Sequence, residues 1–215
     1  MMDMAAARER LIHHLAHEIK DKKVLEVMSR VPRELFVPLQ SQALAYEDMP
    51  LSIDMGQTIS QPYIVALMTE ALELHGREKV LEVGTGSGYQ AAILSELSRW
   101  VVSVERHQRL MDRVKEVLEL LRIKNIELHL AGEELGWPKE APYDAIIVTA
   151  GAPDIPQELL DQLAVKGRMV IPVGSPFEQE LIKAVKKKDG LVKTNLGPCR
   201  FVPLIGKGGW PRDQA

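Results

Sequence analysis

The chain has 215 residues, of which 46% are hydrophobic and 27% are charged, and these proportions exclude a disordered or fibrous protein. With 27 Lys and Arg residues against 30 Asp and Glu residues, the net charge is −3, so we expect neither a nucleic acid nor a membrane as a partner. The single cysteine, Cys199, excludes an intramolecular disulfide framework and a cysteine metal cluster, and we expect no metal.

The first twenty residues carry charges and histidines where a signal peptide has an unbroken apolar core. The sequence has no run of about 18 apolar residues, which is the length that a membrane-spanning helix needs. From these two observations we expect a cytoplasmic protein.

The N-terminal third is helical at both ends and irregular between them. Apolar residues at helical spacing predict one helix through Leu11 and Leu15 and a second, shorter one over residues 24–28. Prolines and a glycine interrupt residues 31–61, and an irregular segment of this length is often functional.

A third helix is predicted from Pro62 to Leu74. Ser60 or Gln61 would be its N-cap, Pro62 suits its first turn, and Gly76 would end it.

From residue 79 onward, short apolar strands alternate with helices. The predicted strands are 80–83, 101–105, 126–130, 145–148, 169–171, 181–185 and 201–204, and the predicted helices are 88–97, 108–121 and 157–163. A turn at Asp189-Gly190 would join the last two strands. The alternation predicts a doubly wound, mostly parallel α/β sheet with helices on both faces. We expect one domain over residues 1–215, in which 1–76 form a helical cap with the active-site segment and 77–215 form a Rossmann-like core.

A glycine-rich loop follows the first predicted strand of this core, in the sequence Glu82-Val83-Gly84-Thr85-Gly86-Ser87-Gly88. In this class of fold, ligands bind outside the carboxyl ends of the strands, where glycines let the backbone approach a nucleotide. Glu105 ends the next strand, where a carboxylate can accept hydrogen bonds from ribose hydroxyls. A tight strand-to-helix turn would explain the glycines alone, but Glu105 favours a nucleotide site.

The charge next to the loop indicates which nucleotide it binds. Glu82 lies two residues before the first glycine, and its carboxylate would repel a pyrophosphate but would suit an ammonium and a sulfonium group. The loop also has the spacing G-x-G-x-G rather than the dinucleotide fingerprint G-x-G-x-x-G. S-adenosylmethionine fits both observations, although an ordinary half-buried strand residue is the alternative interpretation of Glu82.

Taken together, these blocks resemble the protein-L-isoaspartate (D-aspartate) O-methyltransferase family. The resemblance extends from about Val31 to Trp210 and is most specific at two segments, Gly56 to Pro62 and Phe201 to Gly206. Other blocks in the expected order are Val31-Pro32-Arg33, Phe36-Val37-Pro38, Ala45-Tyr46-Glu47-Asp48, Val80 to Gln90, Val104-Glu105-Arg106, Ala141 to Asp144, and Ile171 to Gly174.

The resemblance implies a fold of the S-adenosylmethionine-dependent methyltransferase type and a specific reaction. A methyl group passes from S-adenosylmethionine to the free α-carboxylate of an L-isoaspartyl residue in a damaged protein or peptide, and the sequence leaves open whether D-aspartyl residues are also accepted. The ester then closes to a succinimide and reopens partly as aspartate, which begins repair, and S-adenosylhomocysteine is the other product. We expect a monomer whose macromolecular partners are its isoaspartyl substrates.

Ser60 is the active-site residue that the resemblance implies. Considered alone, a serine before Pro62 would be interpreted as a helix N-cap worth about 1 kcal/mol, and both roles are compatible. The hydroxyl and the N-terminal amides of the helix could orient the acceptor carboxylate, because that end of a helix favours anions. The predicted cofactor contacts are Gln57, Thr58, Ile59, Ser60, Glu82, Gly84, Thr85, Gly86, Gly88, Glu105, Glu133 and Glu134.

One departure from the family leaves alternatives open. Gly132-Glu133-Glu134 stands where family members commonly have Gly-Asp-Gly, so a contact between Glu133 and the adenine amino group is less secure. This departure favours a non-catalytic cofactor-binding module. A methyltransferase acting on a small molecule or RNA is disfavoured by the Thr58-Ile59-Ser60 match, and a nicotinamide-dependent oxidoreductase is disfavoured by Glu82 and the glycine spacing.

Overall fold

A computed structural model describes residues 3–211, so the first two and last four residues of the expected 1–215 domain lie outside the described part. The helices are α1 (Met4–Leu15), α2 (Lys22–Arg30), α3 (Pro62–Ala71), α4 (Tyr89–Leu97), α5 (Gln108–Leu120) and α6 (Gln157–Gln162). The strands are β1 (Leu51–Ser52), β2 (Thr58–Ile59), β3 (Lys79–Val83), β4 (Trp100–Glu105), β5 (Ile126–Leu130), β6 (Tyr143–Val148), β7 (Leu163–Gly174), β8 (Gln179–Lys187) and β9 (Gly190–Cys199). No helix within the described range is long and apolar enough to cross a lipid bilayer.

Seven of the strands form one sheet in the order β5-β4-β3-β6-β7-β8-β9. The strands from β5 to β7 are parallel, and β8 and β9 are antiparallel additions at one edge. The strand order reverses next to β3, where Leu81 faces Val102 of β4 on one side and Ile146 of β6 on the other. In an open α/β sheet this reversal leaves a crevice outside the carboxyl ends of the strands, where ligands bind.

The sheet is buried on both faces, as the apolar strand sequences predict. On one face, Val80 packs in a core cluster that also contains α4, α5 and the three N-terminal helices. On the other face, the adjacent Leu81 packs in a second cluster with Leu159 of α6. Because successive strand residues point to opposite faces, one short strand contributes to both cores.

The N-terminal helices begin where the sequence has capping residues. Asp3 accepts hydrogen bonds from the amides of Ala5 and Ala6, and Asp21 accepts one from Lys23. These carboxylates satisfy amides that have no partner within the helix.

The prediction that α3 ends at Gly76 is wrong, because the helix stops at Ala71. Glu73 takes a left-handed backbone conformation just after the helix, with φ of 50°. Leu72 and Leu74, two residues apart, are both buried. A left-handed residue cannot continue a right-handed helix, so Glu73 ends α3 and changes the chain direction between these two buried leucines.

The prediction of a closing strand over residues 201–204 is also wrong. The turn at Asp189-Gly190 leads directly into β9, whose residues are mostly exposed or half-buried and therefore lack an apolar pattern. Phe201 and Leu204 are apolar because they line a cavity, and Pro203 forms only an isolated bridge with Gly151.

Candidate functional site

A cavity of about 470 Å³ opens at the carboxyl ends of β3, β4 and β6. This volume lies within the range of small-molecule and cofactor sites. Its lining comes from segments far apart in the chain, namely residues 55–60, 83–87, 104–107, 131–136, 149–150 and 201–207, with Val65, Met68, Tyr89 and Gln90. The reversal of strand order therefore positions the cavity where the sequence predicts a nucleotide.

The glycine loop forms one side of this cavity, and its glycines have different tasks. Gly84 has φ of +99°, and a Cβ atom there would lie 2.3 Å from Oγ1 of Thr149, so no larger residue fits. Gly88 does not line the cavity. A Cβ there would lie 2.7 Å from Cγ1 of Val114, so Gly88 instead allows α4 to pack closely against α5.

Glu105 joins the glycine loop to the end of β4. Its Oε2 atom accepts a hydrogen bond from the amide of Gly86 at 2.9 Å, and its Oε1 atom accepts one from the amide of His107 at 2.8 Å. A carboxylate has about four lone-pair positions, so both oxygens can accept further hydrogen bonds from a ligand in the cavity.

The structure does not place Glu82 in the cavity, contrary to our expectation of a contact with a cationic ligand. Its side chain is completely buried under the loop, and Oε2 accepts a hydrogen bond from the hydroxyl of Ser103. The Ser103 hydroxyl in turn lies 2.6 Å from that of Thr85. Burial raises the pKa of Glu82 to about 8, so this carboxyl holds a proton at neutral pH and supports the loop from below.

The segment that carries Ser60 approaches the cavity from the opposite side. Strands β1 and β2 pair as a short antiparallel ladder in which Leu51 faces Ile59. Gln57, Thr58, Ile59 and Ser60, which we expect to contact the cofactor, all line the cavity.

Neither Ser60 nor Gln61 caps α3 with its side chain. Gln61 occupies the N-cap position without a capping hydrogen bond, and Asp48 accepts the amide hydrogen bond of Tyr63 at 2.8 Å instead. The N-terminus of α3, which the sequence suggested as a site for the acceptor carboxylate, is therefore already bound by the Asp48 carboxylate. Within residues 3–211 the Ser60 hydroxyl forms no hydrogen bond, so it is available to a ligand.

Glu133 and Glu134 line the cavity at its exposed end. The loop that carries them is fixed by the buried Gln162, whose Oε1 accepts from the amide of Trp137 at 2.8 Å and whose Nε2 donates to the carbonyl of Leu135 at 2.7 Å. The departure at Gly132-Glu133-Glu134 thus leaves the loop at the cavity.

Sequence reasoning did not identify Asp48, Thr149 or the residues of the 201–207 segment as part of the site. Thr149 follows β6, and its hydroxyl donates to the carbonyls of Val83 and Gly84. The 201–207 segment is attached by paired backbone hydrogen bonds of 2.8 Å between Gly151 and both Val202 and Leu204. The position of Thr149 after a central strand was a signal for a site residue, whereas the capping role of Asp48 had no local signal.

Comparison with known proteins identifies the relatives of this chain. A sequence model of the family Protein-L-isoaspartate(D-aspartate) O-methyltransferase matches residues 6–209. A protein-L-isoaspartate O-methyltransferase from Geobacter metallireducens is 50% identical over 216 residues, which cover 99% of this chain and 100% of the relative. A protein-L-isoaspartate O-methyltransferase 1 from Syntrophobacter fumaroxidans is 53% identical over 212 residues, or 98% and 99% of the two chains.

Two solved structures share the fold. A protein-L-isoaspartate O-methyltransferase superposes with a TM-score of 0.83 and 31% identity, over 94% of this chain and 67% of that chain. A Plasmodium falciparum protein described as a beta-aspartate methyltransferase, in complex with S-adenosyl-L-homocysteine, gives a TM-score of 0.76 and 27% identity, over 91% and 96%.

Proposed function

Because this chain belongs to the protein-L-isoaspartate(D-aspartate) O-methyltransferase family, we propose that its cavity holds S-adenosylmethionine beside an L-isoaspartyl residue, with Ser60 at the acceptor. The protein is an enzyme that transfers a methyl group from S-adenosylmethionine to the free α-carboxylate of L-isoaspartyl residues in damaged proteins and peptides. The methyl ester closes to a succinimide that reopens partly as aspartate. The enzyme thereby begins protein repair.

The free hydroxyl of Ser60 is the observation that carries the assignment of this residue. Asp48 performs the capping that would otherwise explain a serine before Pro62. A hydroxyl that lines the cavity without a protein partner can donate a hydrogen bond to one oxygen of the acceptor carboxylate. Ser60 then orients the other oxygen toward the methyl group.

The residues at the glycine loop fit the methyl donor. When bound, S-adenosylmethionine supplies a methyl group activated by its sulfonium charge and leaves as S-adenosylhomocysteine. Glu105 can accept hydrogen bonds from the ribose, and the backbone of Gly84, Thr85 and Gly86 is open to close approach. Gln57, Thr58 and Ile59 contact the donor from the opposite side, and Glu133 and Glu134 lie at the adenine end. Gly88 and Glu82 support the loop without touching the ligand.

The methyl transfer does not require proton transfer by the protein. The acceptor carboxylate is ionised at neutral pH, so no general base is needed to create the nucleophile. The residues of the cavity have two tasks, which are to align the oxygen with the methyl carbon and sulfur and to exclude water from that line. A single hydroxyl at the acceptor is sufficient for the first task.

We further propose that residues 1–215 act as one methyltransferase domain, as a monomer in the cytoplasm, without a nucleic acid or membrane partner. The net charge of −3 supports the last point, and the core cluster shared by the cap helices and the sheet supports the first.

Methyl transfer from labelled S-adenosylmethionine to an L-isoaspartyl peptide tests the function, with the same peptide containing normal aspartate as the control. We expect base-labile label on the isoaspartyl peptide alone. If neither peptide is methylated by folded protein that binds S-adenosylhomocysteine, the repair function is wrong while the cofactor site stands.

A further inference from the structure

Arg33 is a fully buried basic side chain next to the site. Its Nε atom donates to the carbonyl of Ala45 at 2.8 Å, and its Nη2 atom donates to the carbonyl of Ser60 at 2.8 Å. The guanidinium also lies over the ring of Tyr89, 5.0 Å from its centroid. One side chain thus connects the cap, the Ser60 segment and a residue that lines the cavity.

Arg33 forms no salt bridge among the described residues, since no carboxylate oxygen there lies within 4.0 Å of it, and the Asp48 carboxylate acts on its charge only from farther away. Glu34 pairs with Arg8 and Tyr46, and Asp48 is bound to Tyr63 and Gln61. The Nη1 atom is buried and has no hydrogen-bond partner.

Burial lowers the pKa of Arg33 to about 10, so the guanidinium still carries its charge at neutral pH. Burying a cation without a counterion is costly, and such a cost is commonly found where the charge serves a ligand.

The described residues supply no carboxylate paired with Arg33, and a bound acceptor would bring one to the Ser60 segment. The amide at the N-terminus of α3 is taken by Asp48, so that helix end offers the acceptor less positive potential than its position suggests. Arg33 lies directly behind Ser60, and both Ser60 and Tyr89 line the cavity.

We propose that Arg33 is a positioning residue whose unpaired charge makes the acceptor site selective for a carboxylate, while its bond to the Ser60 carbonyl orients the Ser60 hydroxyl. This inference rests on the proposed function. It differs from a purely structural role, in which Arg33 only connects the Ala45 and Ser60 carbonyls.

Binding of two peptides separates these roles. One is a labelled L-isoaspartyl peptide, and the other is the same peptide with the isoaspartyl α-carboxylate converted to an amide. Both are titrated in the presence of S-adenosylhomocysteine, which prevents turnover. We expect the wild type to bind the carboxylate peptide about tenfold or more tightly than the amide peptide, because a buried charge meets little screening.

Arg33→Gln removes the charge, so the two peptides should then bind with affinities that differ by less than about threefold. Arg33→Lys keeps the charge but cannot donate to both carbonyls in the same geometry, so it should retain the ratio while kcat falls by about tenfold. Arg168→Gln is the matched control, because Arg168 is also largely buried but pairs with Glu78 at the amino ends of the strands. It should leave both ratio and kcat unchanged.

A wild-type ratio retained in Arg33→Gln would overturn the proposal and leave Arg33 a structural role. Where neither Arg33 variant folds, the wild-type ratio is measured as KCl rises from 0.05 to about 0.5 M, because a buried charge is screened far less than an exposed one. If the preference for the carboxylate peptide is retained at high salt, the proposal is supported. If the preference is lost, the selectivity comes from exposed cations instead. If the wild type binds neither peptide, the proposed function itself is wrong.

Discussion

The two sides of the cavity are constructed by different means. The cofactor side, which we define as residues 84–88 with Glu105, is held by backbone conformation and by backbone amides bound to one carboxylate. The acceptor side, which we define as residues 57–60 with Arg33 and Asp48, is held by side chains from distant parts of the cap. The cofactor side should therefore tolerate most side-chain changes except at its glycines and at Glu105, whereas the acceptor side depends on several individual side chains.

Gly84→Ala is expected to have the largest effect, because it breaks the cofactor side at its backbone. The new Cβ would lie 2.3 Å from Oγ1 of Thr149 and would also strain a backbone with φ of +99°. We expect affinity for S-adenosylhomocysteine, measured by calorimetry, to fall by roughly 100-fold.

Gly76→Ala is the control, because φ there is +88° but no atom lies within 4 Å of the added Cβ. It should cost about 1–2 kcal/mol of stability and leave cofactor affinity unchanged. Equal loss of affinity in both variants would contradict the argument from close approach.

Ser60→Ala is expected to have the next largest effect, and it acts on the acceptor side alone. Loss of the only free hydroxyl proposed at the acceptor should lower methyl transfer by about 10- to 1,000-fold. The Kd of S-adenosylhomocysteine should change by less than about threefold, because the Ser60 hydroxyl is assigned to the acceptor and the proposed donor contacts at Glu105 and the glycine loop are retained. Ser52→Ala, on the exposed side of the same hairpin, should have wild-type turnover. Normal turnover in folded Ser60→Ala protein would remove Ser60 from the mechanism.

The difference between the two sides explains what the sequence could predict. The cofactor side is local, since a strand, a glycine loop, a helix and a second strand lie within 30 residues, and their order predicts the crevice. The orientation of Glu82 was not predictable in this way. Whether a strand residue faces the cavity or the core depends on neighbouring strands, and Ser103 of β4 holds the Glu82 carboxyl below the loop.

The acceptor side is non-local and was identified only through family resemblance. Arg33 binds the Ser60 carbonyl from 27 positions upstream, and Asp48 binds the Tyr63 amide from 15 positions upstream. No periodicity relates such positions. Strand β9 was not predicted for a different reason. It is an edge strand with mostly exposed residues, so its sequence has no apolar pattern.

Glu82→Gln tests whether the Glu82 carboxyl under the glycine loop is protonated in the folded protein. Burial raises the pKa of Glu82 from 4.5 to about 8 in the folded protein. Between these two pH values the folded protein keeps a proton on Glu82 that the unfolded chain releases. The contribution of Glu82 to the free energy of unfolding is therefore complete below pH 4.5 and is lost as pH rises toward 8. The free energy of unfolding can fall by at most about 1.4 kcal/mol for each pH unit in this range.

Glutamine stays neutral, so urea unfolding should show Glu82→Gln gaining stability relative to wild type as pH rises from 5 to 8. Glu119→Gln, on the exposed surface of α5, is the matched substitution. A stability difference between Glu82→Gln and wild type that does not change with pH would show that Glu82 is ionised in the folded protein.

Asp48→Ala should have the smallest effect on stability and activity, and it tests how one distant side chain contributes to the acceptor side. Loss of an N-cap costs about 1 kcal/mol, which lowers Tm by about 2–4 °C in a protein of this size. Because the cap also holds the segment after Ser60, we expect KM for the isoaspartyl peptide to rise about threefold. Asp21→Ala removes the cap of α2, away from the cavity, and should lower Tm similarly without changing KM. Identical KM values for the two variants would contradict the positioning role of Asp48.

The two antiparallel strands at the edge of the sheet also have a consequence for biosynthesis. By reversing the chain twice, β8 and β9 return residues 201–207 to the cavity, which residues 55–60 also line. The cavity therefore combines residues translated before the sheet with residues translated after it. A nascent chain that has left the ribosome only as far as β7 has its complete glycine loop but lacks one side of the cavity. Translation must pass residues 201–207 before the cavity is complete, and we expect a chain truncated after β7 to be inactive rather than partly active.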